Sequence, residues 1–526
     1  MLSDDAKPDA QMMEVVEETG HLANENDHQL TALQALKAHP WATVWATYAI
    51  WVIISASFEG QASGIILGIP EFRKDFGYQF GDQYLISAKW QVAFGAASVA
   101  SAVAGNLGGG QIADMIGRKL AYLAAMVVAV IGITLEVIAT QNAVFFAGKF
   151  VNGFALGAFI AVSFSYIGEV APMALRGVLT SAAAVAFTIG PLIVAVILNG
   201  VGGFTNRWAY RGIFVAQYGI VGIQALLWPF MPESPWWLAG RGQEIKAAAS
   251  LKKLGYSAAE VEQRVASILL TLSEVRRETE GATFFECFRK SNLRRTIISI
   301  APLSITALSG VYFAAGYATY YFQLAGLSPS NSFKLQIGQQ ICSLTGNVGS
   351  WFLIDRVGRR PLMIYGLLSV TILLILEGAL AVVATPAALK GVCALILVYC
   401  FVFNLTIGAA GYTILTETST SRLRVKTVGI GAALQNGIFL MWSFVIPYLF
   451  NPDKANLGAK ISFIFAGLAI LCLVYLWFYQ PETTGRTYEE LDELFTKRIP
   501  ARKFKGTITD AELKGRQAQE IYAKAE

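Results

Sequence analysis

The chain has 526 residues, 55% hydrophobic and 15% charged, with a mean hydropathy of +0.50. That balance excludes an ordinary water-soluble globule, and a net charge of +5 over this length offers no basic surface of the kind nucleic acid requires. Five cysteines (Cys287, Cys342, Cys393, Cys400, Cys472) show no metal-ligand spacing, and all three histidines (His21, His28, His39) precede the first apolar run, so the apolar region holds neither an imidazole relay nor a His metal site.

The chain opens acidic and polar through about Lys37, unlike a signal peptide, so residues 1–40 are expected to form a cytosolic tail. Apolar windows then predict helices near 43–68, 88–112, 120–140, 143–168, 178–200 and 211–231. Each is long enough to span hydrocarbon at about 1.5 Å per residue. The polar stretch 232–295 reads as a cytosolic linker of short amphipathic helices. Apolar runs resume near 296–323, 334–354, 361–384, 391–415, 426–450 and 459–479, and residues 480–526 form a second tail. The expected fold is an all-α membrane protein: twelve transmembrane helices in two pseudo-symmetric six-helix bundles, 41–231 and 296–479.

Basic side chains select the orientation. Arg118 and Lys119, Arg176, Arg356 with Arg359 and Arg360, and Arg422 with Arg424 and Lys426 follow helices two, four, eight and ten. The positive-inside bias therefore puts these loops, the linker and both termini in the cytosol, most simply at a plasma membrane.

The same loops carry an internal repeat. Asp114-x-x-Gly117-Arg118-Lys119 recurs as Asp355-x-x-Gly358-Arg359-Arg360, an offset of 241 (114 to 355). Glu169 with Arg176 recurs as Glu417 with Arg424, an offset of 248 (169 to 417), and Pro232-Glu233 recurs as Pro481-Glu482, an offset of 249 (232 to 481). Three pairs at nearly one offset mark two related halves. A carboxylate at a cytosolic helix end that faces an arginine from the other half makes a charge-assisted pair, able to hold that side shut and to break when it opens. Asp114, Arg118, Glu169, Arg176, Asp355, Arg359, Glu417 and Arg424 are the candidates for such a gate, against the plainer reading that they anchor helix ends and set topology.

These motifs resemble the major facilitator superfamily and, within it, the sugar porter family, over roughly residues 43–495. Glu169-x-x-Pro172-x-x-x-Arg176-Gly177, Pro232-Glu233-Ser234-Pro235-Trp236-Trp237-Leu238 and Pro481-Glu482-Thr483-x-Gly485 are similar to sugar porter signatures. Gly316-Tyr317-Ala318-Thr319-Tyr320-Tyr321-Phe322 resembles the seventh helix of fungal α-glucoside (maltose-type) proton symporters, as does Gly411-Tyr412 before Thr416-Glu417.

The resemblance implies alternating access about a midplane site, and its departures bear on coupling and binding. Ala62 stands where proton-coupled relatives carry a first-helix aspartate, and Ala102 and Ala432 stand near a further acid and an arginine of the maltose branch. Glu59, one turn before Ala62, is the remaining acid: a proton-coupling carboxylate, a polar contact or a structural acid. Lys149 falls near the family's fourth-helix arginine and is open to pairing with an acid; Glu136 and Glu377 are expected to snorkel or cap near helix ends. The family's sugar-binding glutamines fall at Ala184, Thr306 and Ala307, and its asparagine near Tyr312, which points to a larger or less polar solute held by aromatic faces. Candidate liners are Gln61, Gln91, Tyr312, Tyr317, Tyr320, Asn347, Asn404, Tyr412, Gln435, Asn436 and Trp442, for each of which helix packing is the competing explanation.

The expected function is secondary transport of a sugar or sugar-like solute, with proton symport of a glycoside set against a facilitator or exporter of a non-sugar metabolite. A transport-inactive nutrient sensor is less favoured, with about 47 residues after the last helix. No nucleophile–base constellation supports an enzyme. Expected partners are bilayer lipid, a small solute and protons, with no cofactor, no metal and no nucleic acid, the chain acting as a monomer.

Overall fold

The computed structural model describes residues 32–81, 83–279, 283–420, 423–484, 486 and 488–509. Both tails' outer parts, Arg422 and Gly485 lie outside the described residues, as do the side chains of Arg176 and Asp355.

Among the described residues the chain forms twelve membrane helices, close to the twelve apolar windows. The first six are Pro40–Ile65, Ala88–Ile116, Arg118–Ile138, Asn142–Val170, Met173–Val201 and Trp208–Leu227. The seventh is in pieces, Lys290–Leu308, Val311–Gly316 and Ala318–Leu324; then follow Pro329–Val357, Arg359–Val383, a tenth split into Pro386–Leu405 and Ile407–Thr418, Arg424–Phe450 and Ser462–Tyr479. Ten are long and apolar enough by themselves to cross a membrane. The seventh is interrupted, and the eighth is diluted by Gln336, Gln339, Gln340 and Asn347, the three glutamines being buried among neighbouring helices.

Local chemistry sets the ends. Pro40, Pro329 and Pro386 occupy first-turn positions where no amide is needed, and Ser328 and Thr385 cap their helices by accepting from Asn331 N and Ala388 N. The seventh helix breaks at Ser309–Gly310, where Gly310 has a φ of 95°, a left-handed value that glycine adopts without strain.

The linker holds Pro235–Gly240, Glu244–Lys253 and Ala258–Thr279, the last being 22 residues long and so not the short helix expected. Between the first and second membrane helices lie a helix, Pro70–Phe76, and a hairpin pairing Tyr78–Phe80 antiparallel with Gln83–Leu85, which the apolar windows did not reveal.

The fold divides into two compact units, the first Met1–Ser63, Ala97–Ile197 and Asn206–Glu280, the second Gly64–Ala96, Leu198–Thr205 and Gly281–Glu526. In the first, buried Tyr48, Tyr122 and Tyr166 pack edge to face, and each hydroxyl is spent: on Gln224 O at 3.2 Å, Ser163 Oγ at 2.9 Å and Pro232 O at 2.9 Å. The third and fourth helices touch through Gly132 and Gly148, where an added Cβ would come within 2.6 Å of Asn152 N and 2.8 Å of Glu136 Cγ.

In the second unit the segment 64–96 packs onto helices of the second repeat. Arg73 donates to Gln323 Oε1 at 2.6 Å, Tyr78 to Asp453 Oδ2 at 2.8 Å, and Gln91 Nε2 to Ile86 O at 2.8 Å and Asn451 Oδ1 at 3.0 Å. Limited burial and the Asp453 carboxylate push the Tyr78 phenol up to about 12. Gln91, a candidate solute liner, sits in the first turn of its helix with its Nε2 committed to Ile86 and Asn451 and its Oε1 buried without a hydrogen-bond partner.

Candidate functional site

Three clusters gather the polar residues singled out in the sequence. The first lies at the repeated glycine–arginine turns. Gly117, at φ 96°, joins the second and third helices, and Glu233 closes the turn by accepting from Arg118 N at 2.8 Å and Lys119 N at 3.2 Å. The Arg118 guanidinium meets Glu169 at 2.7 Å and Asp114 at 3.1 Å. In the second unit Gly358, at φ 99°, makes the same turn, Glu482 accepts from Arg359 N at 3.1 Å, and Arg359 meets Glu417 at 2.9 Å. Each acid is thus held by an arginine of its own unit. Arg424 opens the eleventh helix.

The second cluster is a buried ionic set in the first unit. Glu59 accepts from Lys149 Nζ, Gln217 Nε2 and, at 3.2 Å, Ser63 Oγ. Lys149 also reaches Glu136 Oε1 at 3.5 Å, and its ammonium lies 4.5 Å from the Phe214 ring centre and 5.3 Å from that of Phe145. Asn152 Nδ2 approaches both Glu136 oxygens at 3.5 Å and Gln217 Oε1 at 3.2 Å. Glu59, Glu136 and Lys149 are each at most 1% exposed. Glu136 therefore does not snorkel: its place on the third helix faces the fourth, because the turn at 139–141 folds the two helices together. Glu377 is buried as well, accepting from Ser462 Oγ at 3.0 Å. Gln217 and Asn152 went unnoticed in the sequence; the available signal was the short connection that places Lys149 and Asn152 opposite the end of the third helix.

The third cluster surrounds the break of the seventh helix in the second unit. Tyr412 donates to Gln435 Oε1 at 2.9 Å, and Gln435 Nε2 donates to Thr306 Oγ1 at 3.0 Å. Trp442 Nε1 donates to Ala307 O at 3.2 Å. Tyr312 lies beside the rings of Tyr317 and Phe439, with centres 6.4 Å and 5.9 Å away. Tyr412, Gln435, Trp442, Tyr312 and Tyr317 are thereby brought together around one break. Tyr320 is 1% exposed, packed against Phe450 and under Arg73, which makes it a core residue. Asn404 and Asn436 donate to carbonyls of their own helices, at Cys400 and Ala432. Asn347 and Gln61 are half-buried on the eighth and first helices. Among the described residues no three His, Cys, Asp or Glu side chains gather as a metal-holding group.

Comparison with known proteins agrees with this architecture. The family described as "Sugar (and other) transporter" matches residues 33–495. Among curated relatives, the general alpha-glucoside permease of Saccharomyces cerevisiae is 27% identical over 518 residues, covering 95% of this chain and 83% of the relative. Maltose permease MAL31 of the same yeast is 29% identical over 507 residues, covering 93% and 81%. Among solved structures, the partially occluded inward-open xylose transporter XylE of E. coli superposes with a TM-score of 0.69 at 20% identity, covering 84% of this chain and 100% of that one. The major facilitator proton:xylose symporter XylE bound to 6-bromo-6-deoxy-D-glucose gives 0.66 at 20%, covering 86% and 99%. With the family matched over nearly its whole length and the twelve-helix fold in common, the chain belongs to the sugar (and other) transporter family and is a multi-pass membrane transporter of the major facilitator fold.

Proposed function

We propose that the chain carries an α-glucoside, or a glycoside with few free hydroxyls to match, across the plasma membrane by proton symport, acting as a monomer with both termini cytosolic. The observation that carries this reading is the Tyr412–Gln435–Thr306 hydrogen-bonded chain beside the aromatic group at the break of the seventh helix. A broken membrane helix frees backbone polar groups near the midplane, and aromatic faces bind the apolar side of a sugar ring. The yeast relatives named for α-glucosides and maltose support the substrate class. The Glu59–Lys149 pair supports coupling, since it places an ionisable acid on the first helix, one turn from the position where the family's aspartate is replaced by Ala62.

Gating follows from the repeated turns. Glu169 and Glu417, each held by an arginine, are the groups whose partners would exchange as the cytosolic side opens, with Arg176, Asp355 and Arg424 completing the set.

One observation favours a second reading, a facilitator or exporter of a non-sugar metabolite. Both ends of the Gln435 amide are already engaged, and Thr306 and Ala307 replace the family's glutamines, so few donors remain for hexose hydroxyls. Uptake of labelled glucose, maltose, methyl α-glucoside and aryl glycosides by transporter-deficient yeast, with and without a protonophore, separates the two. Protonophore-sensitive accumulation of a glycoside supports symport, whereas loss of preloaded aryl solute without accumulation of any sugar supports the exporter.

A further inference from the structure

Glu136 and Glu377 occupy the same place in the two repeats: both lie on the third helix of their half, at the offset of 241 (136 to 377) that also relates Asp114 to Asp355. Both are fully buried. Their surroundings differ in charge. Glu377 accepts from Ser462 Oγ, its Oε1 has no hydrogen-bond partner, and no cation pairs with it among the described residues. A lone carboxylate in that setting is costly to keep ionised. In the first half, one ammonium, Lys149, serves two carboxyl groups, Glu59 and Glu136, all three withdrawn from solvent.

Counting charge decides what that arrangement holds. Fully ionised, the set carries one uncompensated negative charge in a dry interior; one bound proton removes it. The acids are not equivalent hosts. Glu59 receives donors from Lys149, Gln217 and Ser63, as an ionised carboxylate requires, whereas Glu136 has contacts of 3.5 Å to Lys149 and Asn152 and nothing closer. Helix six adds Tyr218 and Arg211 near the end of the third helix, but their polar ends go to Thr134 at 2.7 Å and Ala139 O at 3.5 Å. We propose that Glu59, Lys149 and Glu136 form a one-proton binding site in which Glu59–Lys149 is the standing ion pair and Glu136 carries the exchangeable proton. The site stands on this geometry alone; its use in coupling rests on the symport reading above.

The proton moves from water to a Glu136 carboxylate oxygen and back, with no bond formed elsewhere. When it leaves, Lys149 is shared between two anions, which loosens its hold on Glu59 at the first helix. That links proton loss to helix movement.

The test is infrared difference spectroscopy of the purified full-length chain in detergent, reading the carbonyl stretch of protonated carboxylic acids as pH is raised. Expected is one pH-sensitive band that is lost in Glu136→Gln and retained in Glu377→Gln. Because Glu136→Gln could fold poorly, milder changes locate the proton: Asn152→Ala should shift the band, since Asn152 touches Glu136, and Ser63→Ala should leave it in place, since Ser63 touches Glu59; Asn152 also donates to Gln217, which holds Glu59, so Gln217→Leu is the control and should leave the band in place too. A band that moves with Ser63→Ala and ignores Asn152→Ala, or no pH-sensitive band at all, overturns the assignment. Protonophore-sensitive uptake of the glycoside panel in the same variants tests coupling separately: its absence for every glycoside removes the symport reading and leaves the spectroscopic result to decide the site.

Discussion

Glu482 repeats, at an offset of 249 (233 to 482), the work of Glu233: each carboxylate accepts the first amides of a membrane helix, Arg359 N at 3.1 Å and Arg118 N at 2.8 Å. Beside each is a glycine in left-handed conformation whose added Cβ would lie 2.7 Å or 2.4 Å from the glutamate oxygen. The repeated signatures are therefore, first of all, helix caps. They satisfy amides that the start of a helix leaves without partners, and they set a negative charge at the positive end of the helix dipole.

Glu233→Ala and Glu482→Ala should each destabilise the chain by about 1–2 kcal/mol, the usual cost of losing such a cap. Thermal unfolding in detergent is the measurement. The double variant should come close to the sum, because the two caps lie in different compact units and share no partner. Gln at either position should fall between, since its carbonyl oxygen still accepts. Wild-type melting in both alanine variants would show that the caps contribute nothing.

Arg118 and Arg359 make the next step, joining each capped turn to Glu169 and Glu417. If these pairs reorganise during the cycle, Glu169→Gln and Glu417→Gln should slow transport roughly tenfold or more, equivalent to about 1.4 kcal/mol on the limiting step. The same variants should increase cysteine-labelling of the helix ends that carry these pairs. Purely structural anchors would instead lower the amount of folded protein while leaving the rate per molecule unchanged, and that outcome would remove the gate.

Much of this was legible because lipid imposes a simple code. Twelve apolar windows match twelve helices within a few residues, and the repeated acids and arginines lie at the turns where the offsets put them. The hairpin at Tyr78–Leu85 was not legible, since three-residue strands carry no periodicity. The tie made by Gln91 was not legible either, since its partner, Asn451, lies 360 residues away in sequence. Glu136 was misread: nearness to a helix end predicts snorkelling only if the side chain faces lipid or headgroups. Its rotation toward Lys149 is set by Gly132 and Gly148, whose missing side chains let the third and fourth helices approach.

Lys149 provides a stability test of the buried set. Lys149→Met leaves Glu59 without its cation, and breaking one side of a buried pair costs about 3–5 kcal/mol. Combining it with Glu59→Gln removes the stranded charge, so the double variant should be more stable than Lys149→Met alone. Thermal unfolding of the two proteins makes the comparison. Additive destabilisation would mean that the residues do not act as a pair.

Tyr412 and Gln435 test the solute site where the sequence and the structure bear on it together. The Tyr412 hydroxyl holds the Gln435 carbonyl while the Gln435 amide nitrogen reaches Thr306. Tyr412→Phe removes one hydrogen bond and keeps the ring, so it should release Gln435 to meet a solute hydroxyl. A net hydrogen bond contributes about 1 kcal/mol, so the change should move the apparent affinity for maltose by about fivefold, in either direction according to whether the freed carbonyl oxygen accepts from a sugar hydroxyl. Gln435→Leu deletes the polar centre of the chain and should lower maltose uptake more than it lowers uptake of an aryl glycoside, which depends on aromatic faces. Trp442→Phe, by contrast, loses a bond to Ala307 O that orients the eleventh helix and should lower uptake of both solutes alike. Competition assays in transporter-deficient yeast separate these outcomes: equal loss for both solutes in Gln435→Leu would reduce the glutamine to a helix-packing residue and move the binding site elsewhere.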